Sequence, residues 1–527
     1  VSPGRRWFGR RAKSPVDCGP RPMSHSPASD SGGGRHAVAR CFASSAPMNS
    51  ERTAMPCFSS QGRSDEDSGQ SGELSRREFG AAAVATALLA GGGRLSAAPA
   101  VAAVAATGGP ALRGPLAEFV HRPDPSTRFE PIGLGKLPEG EWLTGRFVSQ
   151  TWQGVEWSHE LSLVVPAVPR PASPMLLWID GGSSGRLPEA GDPGPSDSTR
   201  ILAGLAAASG LPAAVIRQVP YQPMFDGLVE DGLIAHSFTE YVRTGDPTWP
   251  LLLPMVKSAV EGVNAAEAVF RDRWGLEIKG FVPAGASKRG WTTWLTAAVD
   301  ERVCGLVPMV IDMLSLERHL GLQRASFGGL SEQLGDYTSR GIETLLDTQR
   351  GRELIGIVDP YSYRDRLVQP KVIALGTNDA YWPLEACNLY YDDLKGPRWI
   401  SYAPNAGHGV PLDRVSGLVA AMGRHAAGIE PLPDLQWAFE EDGGAAACRV
   451  ECPAAEPEEV LVWTASSPTR DFRAARWSAA AAGRDGDAWQ FTLPQPAAGF
   501  AAGLIELRFP REPIPLMLTT GVKVVSS

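Results

Sequence analysis

Cysteine is scarce in this chain, seven residues in 527, and no two of them form a C-x-x-C pair of the kind that holds zinc. Cys18, Cys41 and Cys57 fall in a leading segment, which leaves Cys304, Cys387, Cys448 and Cys452. In a β-type segment, the spacing from Cys448 to Cys452 would hold the sulfurs about 13 Å apart, too far for a bridge. H-E-x-x-H and G-x-x-x-x-G-K-[ST] are both missing, so neither the common zinc-protease signature nor a phosphate-cradling loop is present. Neither a metal nor a cofactor is expected. Basic charge is also lacking: 50 Lys and Arg stand against 58 Asp and Glu, a net charge of −8, which gives nucleic acid nothing to bind. After the leading segment no uninterrupted apolar stretch reaches membrane-spanning length, so stable membrane insertion is not expected. What remains, 43% hydrophobic residues over this length, suffices for one large core and a smaller one.

The first hundred residues differ in kind from the rest. Residues 1–74 are rich in Gly, Ser, Ala and Arg without sustained periodicity, a composition that cannot bury enough apolar surface to fold. Met23, Met48 and Met55 all precede the next feature, so a misplaced start is expected to account for part of this leader. Ser75-Arg76-Arg77-Glu78-Phe79 then leads into an apolar run from Gly80 to Ala90, too short to span a membrane, followed by small residues and prolines. Residues 75–105 resemble a twin-arginine export signal, with cleavage expected after Ala100-Val101-Ala102. The expected location is periplasmic or secreted, and the expected partner of this segment is the twin-arginine export machinery. An ordinary hydrophobic leader is the alternative.

The most informative stretch is Gly285-Ala286-Ser287-Lys288-Arg289-Gly290. A β-type run from Ile278 to Pro283 enters it and a helical run from Trp291 to Val299 leaves it, the setting in which a hydrolase exposes a serine on a sharp strand-to-helix turn. The match to G-x-S-x-G is imperfect, because Arg289 takes the second glycine's place and the glycine follows one residue later.

A serine hydroxyl needs a histidine within reach and a carboxylate to orient that histidine. Lys371 to Gly376 reads as a strand ending in Thr377-Asn378-Asp379, and Trp399 to Ala403 as another, ending in Pro404-Asn405-Ala406-Gly407-His408-Gly409. Both polar candidates therefore follow strand ends, the edge where sites assemble in open α/β sheets. Ser287, Asp379 and His408 also stand in the chain order of the α/β-hydrolase triad. His121, His159, His236, His319 and His425 share neither feature. Asp312, which closes a predicted strand from Val303 to Ile311, is the rival acid. For the oxyanion, Met175 to Ile179 reads as a buried strand followed by Asp180-Gly181-Gly182-Ser183-Ser184-Gly185. An amide from Gly181, Gly182 or Ser183 and the amide of Lys288 are the expected donors.

These blocks, with Glu230-Asp231, Thr244 to Pro250, Pro254 to Lys257, Val358-Asp359-Pro360-Tyr361, Trp463-Thr464-Ala465 and Arg470 to Arg473, resemble the PhoPQ-activated pathogenicity-related proteins. The resemblance implies an α/β-hydrolase fold and makes Ser-Lys-Arg-Gly the usual form of the elbow. About substrate it implies little.

The order of elements supports a largely parallel sheet covered on both faces. Strand-like runs are predicted over Arg146 to Trp152, Trp157 to Val165 and Ala213 to Val219, and helices over Ser198 to Ser209 and Leu251 to Trp274. The catalytic domain is read as residues 106–430, with a helical lid over about 313–368 containing Tyr337 and Arg340. Residues 431–527, with short β runs between Gly, Pro and Asp turns, read as a C-terminal β-sandwich-like domain. The expected function is an exported serine hydrolase, an esterase on an acylated carbohydrate or envelope ester, with a small-molecule, glycan or peptide substrate. Lys288 beside the serine would support the oxyanion or hold an acidic substrate group. A prolyl-type peptidase and a non-enzymatic binding or signalling protein on the same scaffold are the alternatives; the segment ahead of Met175 is too short for the former's β-propeller.

Overall fold

In the computed structural model, residues 112–187, 189 and 194–527 are described; the leader and the twin-arginine segment lie outside them. A short helix, α1 (Pro115–Val120), precedes β1 (Arg128–Leu137), β2 (Gly140–Trp152) and β3 (Val155–Pro166), which pair as an antiparallel meander. Gln153 and Gly154 join β2 to β3 with φ of 48° and 75°, the positive pair that a two-residue hairpin requires. β1 has no clear strand signal in sequence, because Pro131, Gly133 and Gly135 lower its strand propensity. It forms because its whole length pairs with β2 and the Trp142 ring lies over the two glycines; a Cβ on Gly135 would sit 2.9 Å from that indole nitrogen.

Alternation then begins with β4 (Ala172–Ile179), α2 (Asp197–Ser209), β5 (Ala213–Ile216), α3 (Glu230–Thr244), α4 (Leu252–Trp274), β6 (Glu277–Ala286), α5 (Lys288–Val299) and β7 (Val307–Met309). Four helices intervene, α6 (Leu316–Phe327), α7 (Gly335–Thr338), α8 (Ile342–Leu346) and α9 (Gln349–Val358), before β8 (Lys371–Gly376), β9 (Arg398–Ala403) and α10 (Leu412–Ala426). In space the strands run β1-β2-β3-β5-β4-β6-β7-β8-β9, with every neighbouring pair from β5 to β9 parallel. Strands buried on both faces read as apolar runs, which is why β4 and β8 were visible in sequence. Leu202 and Leu205 of α2 share one core with Leu418 and Met422 of α10, whereas α1, α4 and α5 fill the other with Phe119, Phe270 and Trp294. This is the α/β-hydrolase fold. The strand expected over Val303 to Ile311 is shorter than its sequence suggests: Val303 and Leu306 make only isolated bridges, and Val310 turns out at φ 45°.

The C-terminal strands continue the sheet. β10 (Gln436–Asp442), β11 (Ala445–Glu451), β12 (Glu459–Ser467), β13 (Ser478–Ala481), β14 (Gly483–Asp485), β15 (Ala488–Leu493), β16 (Phe500–Phe509), β17 (Leu516–Thr519) and β18 (Lys523–Ser526) sort into two sheets. One set, β17-β16-β12-β13 with β18 beside β16, joins the large sheet where Thr519 pairs with Ile400 of β9. The other, β10-β11-β15-β14, packs across it: Cys448, Val450 and Trp489 share a core with Ile505 and Leu507. The sheets approach closely at Gly503, where a Cβ would meet the Phe491 ring at 2.7 Å. Buried Arg414 on α10 pairs with buried Glu506 on β16, so a charged clamp adds to the strand contact. Cys304, Cys387, Cys448 and Cys452 are all free thiols.

Candidate active site

Ser287 stands between β6 and α5 with φ 56° and ψ −121°, a conformation costly for any residue but glycine. Two contacts hold it there: its N–H donates to Met309 O at 2.8 Å, and its carbonyl accepts from Trp291 N–H at 3.0 Å. The turn also explains the displaced glycine. A Cβ on Gly285 would lie 2.7 Å from Arg289 O, and one on Gly290 would lie 2.7 Å from Met309 O and 2.9 Å from Gly285 O. The close approach of strand and helix therefore falls on Gly290, which frees position 289 for a large side chain.

That side chain, Arg289, reaches beneath the glycine-rich loop. Its Nε donates to Val219 O at 2.5 Å, and its two terminal nitrogens bond the Glu230 carboxylate at 2.8 and 2.6 Å. A Cβ on Gly181 would strike the guanidinium at 2.5 Å, so glycine there allows the loop to lie on it. Lys288 Nζ is 2.8 Å from Asp231 and 3.7 Å from Glu230. A buried cation, Arg289, and a largely buried one, Lys288, thus meet two carboxylates, the condition under which such charges are tolerated away from water. Burial opposes the charged form of both groups, but Arg289 takes the Glu230 pKa down to about 2, and Asp231 followed by Glu230 raises that of Lys288. The expectation that the Lys288 ammonium is free to hold an acidic substrate group is corrected by this pairing: its charge is already balanced. Its backbone amide, at the first turn of α5, remains a candidate donor.

Asp379 and His408 follow β8 and β9. His408 Nε2 is 2.9 Å from Ser287 Oγ, and His408 Nδ1 is 3.0 and 2.9 Å from the two oxygens of Asp379. The side chains of His408 and Asp379 are 14% and 5% exposed, so the pair is screened from bulk water while the serine end stays approachable. Asp379 Oδ1 also accepts the Tyr381 N–H at 2.8 Å, and the Tyr381 ring packs on the imidazole with centroids 4.3 Å apart. Both loops are braced by the C-terminal region. Asn378 Nδ2 donates to the carbonyls of Phe472, Arg473 and Ala475, while Asn405 exchanges two bonds with the Trp477 backbone. Thr377 Oγ1 ties the loops together by accepting from Asn405 N–H at 2.9 Å.

The rival acid lies elsewhere. Asp312 is 3% exposed, its Oδ1 accepts the Tyr390 O–H at 2.8 Å, and burial, abetted by the charge of Asp379, pushes its pKa up to about 8. At neutral pH it is chiefly a neutral acid. In the glycine-rich loop, the Gly181 N–H is committed to Asp180 Oδ1 at 2.8 Å, while Gly182 takes φ 137° and Ser183 Oγ accepts from Gly185 N–H. Gly182, Ser183 and Lys288 are therefore the amides left for an oxyanion.

Beside Ser287 lies a cavity of about 80 Å³, walled by α3, α5 and the helices between β7 and β8. Its lining is mostly apolar, including Phe238, Trp291, Met313, Leu320, Ile342 and Trp382. Of the residues that shape this site, sequence reasoning passed over Tyr381 and assigned His319 no role. Tyr381 has a signal that could have exposed it, two residues past the candidate acid on the same turn; His319 has none.

A profile of the PhoPQ-activated pathogenicity-related protein family matches residues 116–473, more than half of the chain. The chain belongs to that family. It is similar to the autocrine proliferation repressor protein A of Dictyostelium discoideum, 31% identical over 385 residues, covering 68% of this chain and 76% of that protein. Among solved structures it is similar to acetyl xylan esterase 1 from Thermoanaerobacterium sp. JW/SL YS485, with 15% identity, TM-score 0.41, and coverage of 60% of this chain and 96% of that one. The acetyl xylan esterase from Paenibacillus sp. R4 follows, with 13% identity, TM-score 0.38, and coverage of 56% and 86%. Among the described residues, no helix is long and apolar enough to cross a membrane, and no cluster of His, Cys, Asp or Glu is arranged to hold a metal ion.

Proposed function

We propose that this chain is an exported serine hydrolase that cleaves esters of an acylated carbohydrate or cell-envelope component. The observation that carries the reading is the hydrogen-bond chain from Asp379 through His408 to Ser287, ending on a serine held at positive φ. With Nδ1–H donated to Asp379, His408 Nε2 is the base. Ser287 Oγ attacks the ester carbonyl carbon as its proton passes to Nε2, and the carbonyl electron pair moves onto the oxygen, which the amides of Lys288 and of Gly182 or Ser183 receive. Collapse breaks the bond to the alcohol, which leaves with the proton from His408. Water then repeats the sequence on the acyl-serine, freeing the acid and restoring Ser287.

A fluorophosphonate probe tests this directly, because it reacts with an activated serine and needs no knowledge of the substrate. A covalent adduct on Ser287 of the folded protein is expected. If no adduct forms there, the second reading takes over: a secreted signalling protein on a hydrolase scaffold, which the name of the Dictyostelium relative favours.

Export rests on Arg76 and Arg77 ahead of the apolar run. A receptor that reads a guanidinium pair is not satisfied by two ammonium groups of equal charge. Arg76→Lys with Arg77→Lys should therefore accumulate uncleaved and folded in the cytoplasm, as followed by fractionation. Continued appearance outside the cytoplasm, cut near Ala102, would replace the twin-arginine assignment with a general secretory one.

A further inference from the structure

His319, on α6, is 1% exposed and lines the cavity beside Ser287. Its protonation pattern follows from its neighbour. Gln323 Oε1 accepts the Ser331 N–H at 2.9 Å, and Gln323 Nε2 donates to Tyr381 O at 2.7 Å, so the amide has one possible orientation. Flipping it would set N–H against N–H and carbonyl against carbonyl. The second hydrogen on Nε2 then points to His319 Nε2, 3.1 Å away, and that ring nitrogen must accept. Burial lowers the pKa of His319 to about 3, which keeps the ring neutral at working pH, so its single proton resides on Nδ1. Nδ1 has no partner among the described residues.

Every other polar side chain lining the cavity is bonded. Ser287 has His408; Lys288, Tyr337 and Tyr381 meet at Asp231; the indoles of Trp291 and Trp382 donate to Val358 O and Val310 O. One unpartnered N–H donor is thus left on a residue in the wall of a mostly apolar chamber that adjoins the proposed nucleophile. A buried donor without an acceptor is costly, so an oxygen arriving beside it gains more than it would at the surface. The chamber is also small, since apolar cavities that take benzene measure about 150 Å³. A group so enclosed suits the acyl part, which stays bonded to Ser287 through both steps, while the larger alcohol part has to depart.

We propose that His319 determines acyl specificity: its Nδ1–H donates to an acceptor oxygen carried by a short acyl chain, so ether- or keto-substituted small acyl groups are preferred over plain alkyl ones. This rests on the hydrolase reading of Ser287. The experiment compares p-nitrophenyl butanoate with methoxyacetate, and pentanoate with 3-methoxypropanoate, pairs in which one oxygen replaces one methylene. His319→Phe keeps the ring and removes the donor. Relative to the unaltered protein, it should lower the ether-over-alkyl ratio of kcat/KM by about 10-fold in at least one pair, a comparison in which the intrinsic reactivity of the esters cancels. Ratios unchanged within about twofold in both pairs would overturn the proposal.

A second measurement needs neither turnover nor a histidine variant. In ¹⁵N-histidine-labelled Ser287→Ala protein, the His319 Nδ1–H resonance should move downfield with methyl methoxyacetate or methyl 3-methoxypropanoate and stay in place with methyl butanoate. A proton found on Nε2 instead, or no shift with either ether, sinks the assignment whatever Ser287 does. Absence of turnover in the unaltered protein together with that shift would instead count against the hydrolase reading and leave the donor in place.

Discussion

Ser287→Ala should lower turnover by on the order of 10³-fold or more without unfolding the protein. Removal of Oγ deletes the atom proposed to form the acyl bond. The backbone at 287 is held by Met309 O and Trp291 N–H, neither of which touches the side chain. Alanine and serine also bear the same strain at φ 56°, so the elbow keeps its shape. His408→Ala should cost about as much, since a nucleophile and its base fail together and the double variant should add little. The measurement is hydrolysis of an activated ester alongside thermal unfolding. Turnover retained in a folded Ser287→Ala protein would mean that another group attacks, and the assignment of the nucleophile would have to be abandoned.

What made this candidate site readable in the sequence is that its three candidate residues sit just beyond strand ends. β6, β8 and β9 each carry a short apolar run, and Ser287, Asp379 and His408 each follow one within a turn or loop, so strand pattern, the near match to G-x-S-x-G and the chain order together led to them. The groups around them depend on contacts between distant segments. Arg289 appeared as a break in a motif, and only the arrival of Glu230 from α3 and Val219 from the loop after β5 shows what it binds. His319 is one of several histidines without a local signature. Its unused Nδ1 emerges only when Ser331 and Tyr381 fix the Gln323 amide. The C-terminal strands were visible as short β runs, but their junction with β9 was not. The two strands share a single ladder pair, Thr519 with Ile400, and the braces on Asn378 and Asn405 come from an irregular segment with no repeat to read.

The second large effect separates two carboxylates. Asp379→Asn should reduce turnover by roughly 10²- to 10⁴-fold, because an amide opposite His408 Nδ1 no longer favours the tautomer in which Nε2 is the base, nor stabilises the imidazolium once it forms. Asp312→Asn should cost far less. That residue makes no bond to His408, and an asparagine oxygen can still accept the Tyr390 O–H. Its signature is in stability instead. The folded-state pKa of Asp312 is raised from 3.8 to about 8. Over that window the unfolded chain has lost a proton that the folded chain retains, so this residue makes stability fall as pH rises from about 4 to about 8 and has no further effect above. Asp312→Asn should flatten that slope in denaturant titrations across the window, whereas Asp379→Asn should leave the larger part of it standing, because burial outweighs the charge of Asp379 in raising the Asp312 pKa. If Asp312→Asn instead gave the larger loss of turnover, the orienting acid would have to be moved to the end of β7.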